Sequence, residues 1–133
     1  MKRWILWVAA GIAISVAPIH AHHSIARAYD TSRDMTIEGV VTQFHFTHPH
    51  PVVTIDVEQD GGSAPWLLEM DNRSELARIG MTSQTLKQGD RIVVTGNPAS
   101  GGGRSLYIRR LDRPADGFRY EQVGRSPRIR AAR

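Results

Sequence analysis

MTIEGVVTQFHFTHPHPVVTIDVEQDGGSAPWLLEM, residues 35–70, carries three extended segments in succession, and its reading decides the architecture. From Met35 to Phe46, β-branched and aromatic residues dominate, and Val40, Phe44 and Phe46 share one face at a period of two. Ile37 falls out of that register. Gly39 is the natural place for a β-bulge that would return Ile37 to the core face and curve the strand, and a curved first strand suggests a barrel. Thr47-His48-Pro49-His50-Pro51 then interrupts pairing, because two prolines remove two backbone donors. From Pro51 to Glu58, Val53, Ile55 and Val57 alternate with Thr54, Asp56 and Glu58, the clearest amphipathic strand of the chain. A turn at Gln59-Asp60-Gly61-Gly62-Ser63 leads to a third strand with Trp66, Leu68 and Met70 on one face.

Beyond this meander, Asn72 is placed to cap a short helix. Glu75 stands at the capping-box position, Leu76 and Ile79 form the apolar face and Gly80 is the stop. Met81 to Leu86 reads as a second helical turn started by Thr82. Lys87-Gln88-Gly89-Asp90 is a tight turn, and the segments 91–95 and 104–111 supply two more strands around the loop Pro98–Gly103. The expected fold is mainly β: a small five-stranded OB-like barrel with one short helix between strands 3 and 4. An open antiparallel sheet crossed by one helix fits the same order of elements.

Upstream, Lys2-Arg3, the apolar run from Trp4 to Ala17 and the end at Pro18-Ile19-His20-Ala21 have the layout of a secretory signal. Cleavage is expected after Ala21, because an earlier cut after Ala17 would leave Pro18 just past it. This implies a periplasmic, exported protein with one domain spanning 22–112. The chain has no cysteine, which excludes thiol nucleophiles, zinc–thiolate sites and dithiol redox chemistry. Its formal charge of +4 is uneven. Residues 22–112 hold nine Lys and Arg against eleven Asp and Glu, whereas 113–133 hold six Arg against two acids. Proline, glycine and arginine without apolar periodicity make 113–133 an expected disordered tail, with weak contact to an anionic envelope surface as its one suggested partner.

His22-His23-Ser24, Thr47-His48-Pro49-His50 and Leu86-Lys87-Gln88-Gly89-Asp90 resemble the motifs of a family of small exported bacterial proteins of unknown function. That family opens its mature chain with His-His-Ser, carries Asn-Pro-His after the first strand and has a Leu-Lys-Pro-Gly-Asp turn. His48 stands for the Asn and Gln88 for the Pro. The resemblance spans roughly residues 22–112 and implies export and a small β domain. It implies no activity.

All six histidines fall within residues 20–50, and five follow the expected cut. Neutral imidazole is the commonest metal-ligand side chain, and an N-terminal His22 would add a free α-amine. Nitrogen-only donors favour Cu(II). The candidate metal ligands are therefore His22, His23, His48 and His50, while His45 points outward on its strand. The plainer alternative is that His50 hydrogen-bonds the bend, that His48 is a tolerated polar residue and that His22 and His23 are a frayed end; spacing alone does not bring the two clusters together. No nucleophile elbow, phosphate loop or His-Glu-x-x-His helix is present, and the glycine run 101–103 lacks the helix a phosphate cradle needs. The expectation is a non-enzymatic binding protein, with Cu(II) as its sharpest ligand and an envelope or anionic-surface module without metal as the alternative. Nucleic acid is not expected as a partner, because 22–112 is net acidic and its Trp66 and Phe44 are assigned to the core.

Overall fold

Uninterrupted alternation along residues 52–70 produces a hairpin, and everything else in the barrel is arranged against it. The computed structural model describes residues 22–132; the segment read as a signal peptide, 1–21, lies outside the described residues. The elements run α1 (His22–Ala28), β1 (Met35–His45), β2 (Val52–Gln59), β3 (Gly62–Glu69), α2 (Arg73–Arg78), β4 (Arg91–Pro98), β5 (Ser105–Arg113), β6 (Phe118–Val123) and β7 (Ser126–Arg130). β1 pairs antiparallel with β2 and β4, β2 with β3, and β4 with β5. A short parallel pairing of β3 with β5, Leu67 to Glu69 against Ser105 to Tyr107, closes the ring of five strands. The expected OB-like barrel with a helix between strands 3 and 4 is what forms, and closure rules out the open sheet. Val53, Ile55, Leu68, Met70, Ile92, Val94, Leu106, Ile108 and Leu111 fill its interior and are fully buried.

The helix after β3 forms as its cap dictates: Asn72 Oδ1 accepts from the Ser74 amide at 2.8 Å, and Leu76 is buried beneath it. Four details differ from the sequence reading. The bulge of β1 lies at Thr42, where the register against β2 skips, and not at Gly39. Odd positions 35 to 41 therefore face inward and even positions 44 and 46 take over beyond it, so Val41 is fully buried and Val40 only half-buried. Gly39 instead permits close approach, since a Cβ there would lie 2.5 Å from the Asp56 carbonyl oxygen. Residues 81–86 form no helical turn. Thr82 and Thr85 satisfy local amides with their hydroxyls, leaving Met81 and Leu86 free to enter the core.

The other two corrections enlarge the fold. The segment ahead of β1, to which the sequence reading assigned no element, is structured: α1 ends at Ala28 and Tyr29 is buried, bridging Ala99. The stretch expected to be a disordered tail from Arg113 onward forms β6 and β7, which lie outside the ring and extend the sheet from the C-terminal half of β5. Phe118, Tyr120 and Gln122 alternate inward along β6, and Tyr120 is fully buried. Arg113 is consumed by the structure: it donates to Asp90 at 2.7 Å, to Asp116 at 2.8 Å and to the Thr85 carbonyl at 2.7 Å, and it stacks on the Phe118 ring.

Candidate functional site

The proline-broken bend between β1 and β2 is held by one side chain from α2. Arg73 donates from Nε to the Phe46 carbonyl at 3.1 Å and from its guanidinium to His48 Nε2 at 3.1 Å, while its backbone amide donates to the Pro49 carbonyl at 3.0 Å. The guanidinium also lies over the Phe46 ring. The bend contains a cis His48–Pro49 peptide. An arginine has only donors, so His48 Nε2 is the acceptor. That lone pair is spent, and a fixed cation sits against it. His48, expected as a metal ligand, is thereby a bracing residue for the bend.

His50 is arranged differently. Its Nδ1 lies 3.0 Å from the Met70 carbonyl oxygen, which only accepts, so the ring donates Nδ1–H and keeps its lone pair on Nε2. A ligating histidine commonly carries this arrangement, in which a backbone carbonyl fixes tautomer and ring orientation. The side chain is largely buried, 13% exposed, and Glu69 Oε1 lies 3.9 Å from Nδ1.

Glu69 connects this bend to the start of the described chain. Its Oε2 accepts a 2.7 Å hydrogen bond from the Tyr29 hydroxyl, which also contacts Ser105 Oγ at 3.3 Å. Burial, followed by the neighbouring Glu69 carboxylate, pushes the Tyr29 phenol up to about 12, so it remains a donor at neutral pH. The Tyr29 ring packs on Tyr107 with centroids 5.8 Å apart. Tyr29 directly follows α1, so the C-terminal end of that helix is docked one carboxylate away from His50. A second polar chain braces the same end of the barrel. Tyr120 donates to Gln122 at 2.8 Å, and Gln122 donates to Asp71 at 2.6 Å, tying β6 to the residue after Met70.

Among the candidate ligands, then, His50 Nε2 has no hydrogen-bond partner among the described residues, His48 is engaged by Arg73, and the side chains of His22 and His23 lie outside the described residues. His45 is exposed on its strand beside Gln43, at 3.2 Å. Among the described residues, no three His, Cys, Asp or Glu side chains converge as a metal site. The sequence reading missed Tyr29 and Glu69, whose pairing spans 40 residues and leaves no local signal.

A model of a family of unknown function matches residues 10–106, nearly three quarters of the chain. The chain belongs to that family, DUF6152. The matched span ends within β5, so β6 and β7 lie beyond it. No curated protein matches the sequence. Among solved structures, the chain is similar to the mitochondrial single-stranded DNA binding protein Rim1 from S. cerevisiae, at 16% identity over 60% of this chain and 91% of that one, with a TM-score of 0.47. It is also similar to a ZRD-deleted mutant of TiaS in complex with agmatine, at 17% identity over 61% and 21% of the two chains and a TM-score of 0.42. A third similarity is to yeast Stn1 and Ten1, at 12% identity over 59% and 41% and a TM-score of 0.40.

Proposed function

We propose that this DUF6152 protein is an exported, non-enzymatic domain that binds Cu(II) at the His50 end of its barrel, with His50 Nε2 and the histidines of the N-terminal segment, His22 and His23, as donors. The reading is carried by one observation, the chain of contacts Tyr29–Glu69–His50, which docks the segment following α1 beside a largely buried imidazole whose Nε2 has no partner among the described residues. Tyr29 lies seven positions, roughly 10 Å of helical rise, beyond His22. That length is short enough for the histidine-bearing end to remain near the bend. Cleavage after Ala21 would add the α-amine of His22 to the donor set. His48 is left out, because Arg73 holds its nitrogen.

Calorimetric titration with Cu(II) of the protein starting at His22 tests the reading, beside His50→Ala and a form carrying one extra residue ahead of His22. The expected result is one tight site, weakened at least tenfold in both altered forms, with affinity falling in acid as protons compete for the imidazoles and the amine. Equal affinity in all three, or binding no tighter than that of a free histidine-containing peptide, would overturn it. Intact-mass measurement of the secreted protein checks the processed N-terminus on which the amine depends.

A further inference from the structure

The outer strand β7 gives the molecule a cationic edge that the rest of the fold does not neutralise. The charges on the neighbouring strands cancel locally: Arg110 and Arg119 share Asp112 at 2.7 and 2.6 Å, and Arg119 lies 3.8 Å from Glu121. One strand further out the cancellation is incomplete: Glu121 stands across from Arg128 in the register but lies against Arg119, and Asp116, which lines a hollow with Arg130, is held by Arg113. Arg125, Arg128 and Arg130 are exposed and form no ion pair among the described residues; the one bond from Arg130 goes to the neutral Gly117 carbonyl at 3.4 Å. Arg78 of α2 shares a surface hollow with Arg125, but Glu75 lines that hollow too, so the cationic edge proper is β7 and its tip. Ile129 turns the other way and packs on the core, which fixes Arg128 and Arg130 on the outer face, about 7 Å apart along the strand. Beyond them the edge is unpaired, β7 having only β6 as a neighbour among the described strands. At the hairpin tip, next to Arg125, Val123 is 48% exposed.

We propose that this edge docks the domain on an anionic lipid surface, with Arg125, Arg128 and Arg130 meeting headgroup phosphates and Val123 reaching the interface. Charge complementarity is the ground for the proposal. Three guanidiniums on one strand and its hairpin tip, none of them in an ion pair among the described residues, suit a plane of diffuse negative charge, and guanidinium is the side chain best matched to phosphate oxygens. A single-stranded nucleic acid would call for exposed aromatic rings beside the arginines, whereas the aromatics of this hairpin, Phe118 and Tyr120, are buried in the core. The edge also lies outside the region matched by the family model, so it is an addition to the barrel rather than part of its closure. Docking is independent of copper, since the His50 bend is built from β1, β2 and α2.

The test is co-sedimentation of the chain from His22 onward, which holds every described element, with vesicles of phosphatidylcholine alone or containing 30% phosphatidylglycerol. Three proteins are compared: the unaltered chain, the Arg125→Gln/Arg128→Gln/Arg130→Gln variant, and a variant losing the same charge elsewhere through Arg27→Gln/Arg33→Gln/Arg104→Gln. Circular dichroism melts establish that all three are folded. Binding is expected only to the anionic vesicles and is expected to weaken as salt is raised. Each edge arginine removed should weaken it about fivefold, so the edge variant falls roughly a hundredfold while the distant variant keeps most of its affinity. Equal losses in the two variants would show a response to net charge alone and overturn the assignment. So would undiminished binding by the edge variant, or binding of a single-stranded oligonucleotide in preference to the vesicles.

Discussion

His48 and His50 stand two residues apart in the same bend, yet their surroundings give their ring nitrogens opposite roles. Arg73 fills the acceptor of one, and the Met70 carbonyl frees that of the other. Spacing in the sequence treats the two alike; only the positions of α2 and the end of β3 separate them. Gly39 is a second residue whose meaning depends on its neighbours. Replacing it with alanine puts a methyl group 2.5 Å from the Asp56 carbonyl oxygen and 2.9 Å from Ile55 Cδ1, both parts of a packed sheet. The expected loss is about 1–3 kcal/mol. Gly101→Ala, where nothing lies within 4 Å of the added atom, should be close to neutral. Thermal unfolding of the two variants checks this, and an equal effect would refute the close-approach role. Gly39 was legible as special, but its function was not. A bulge at Gly39 and a bulge at Thr42 both restore the alternation of β1, and only the pairing with β2 distinguishes Val41 from Val40 as the core residue.

At the scale of elements, legibility followed the strength of alternation. β2 and β3 keep apolar residues at every second position without interruption, and their pairing register, Val53 with Leu68 and Ile55 with Trp66, follows directly from that. The Asn72 cap fixed α2 just as clearly. β6 was obscured because its inward residues, Phe118, Tyr120 and Gln122, are separated by charged ones and embedded in an arginine-rich stretch that resembles solvated tail. The composition hides Arg113 too, whose charge is matched by Asp90 and Asp116. A concrete consequence follows for truncation. Ending the chain after Asp112 removes Phe118 and Tyr120 from the core, where loss of one large aromatic side chain typically costs about 3–5 kcal/mol. A small domain holds only about 5–15 kcal/mol in total. The truncated protein should therefore lose its cooperative thermal transition, or melt more than about 20 °C lower, whereas ending after Arg130 should shift the midpoint by only a degree or two. An unchanged melt after truncation at Asp112 would mean that β6 and β7 lie on the barrel without contributing to it.

For the whole molecule, the proposed site is a meeting of distant parts, because Tyr29, the end of β3 and β5 come together at Glu69 beside His50 of the 46–51 bend. No local pattern could have announced this meeting, and it would make the proposed metal binding a property of the folded state. A metal held between the N-terminal segment and His50 binds the native chain in preference to the unfolded one. At a free Cu(II) concentration 100-fold above Kd it should add about 2.7 kcal/mol of stability. In a domain of this size that corresponds to roughly 10 °C in the melting midpoint. Two substitutions divide the effect. His50→Ala removes the donor on the barrel and should abolish the copper-dependent shift. Tyr29→Phe keeps the ring packed against Tyr107 but deletes the 2.7 Å bond to Glu69, loosening the docking of the helix that carries His22 and His23. It should leave the copper-free midpoint within a few degrees of the unaltered protein and shrink the copper-dependent shift to a fraction of its size. Differential scanning calorimetry of the three proteins with and without Cu(II) gives the answer. Equal shifts in all three would place the metal on the N-terminal segment alone, with His50 and the Tyr29 anchor playing no part. No shift in any of them would mean that copper does not bind the native state.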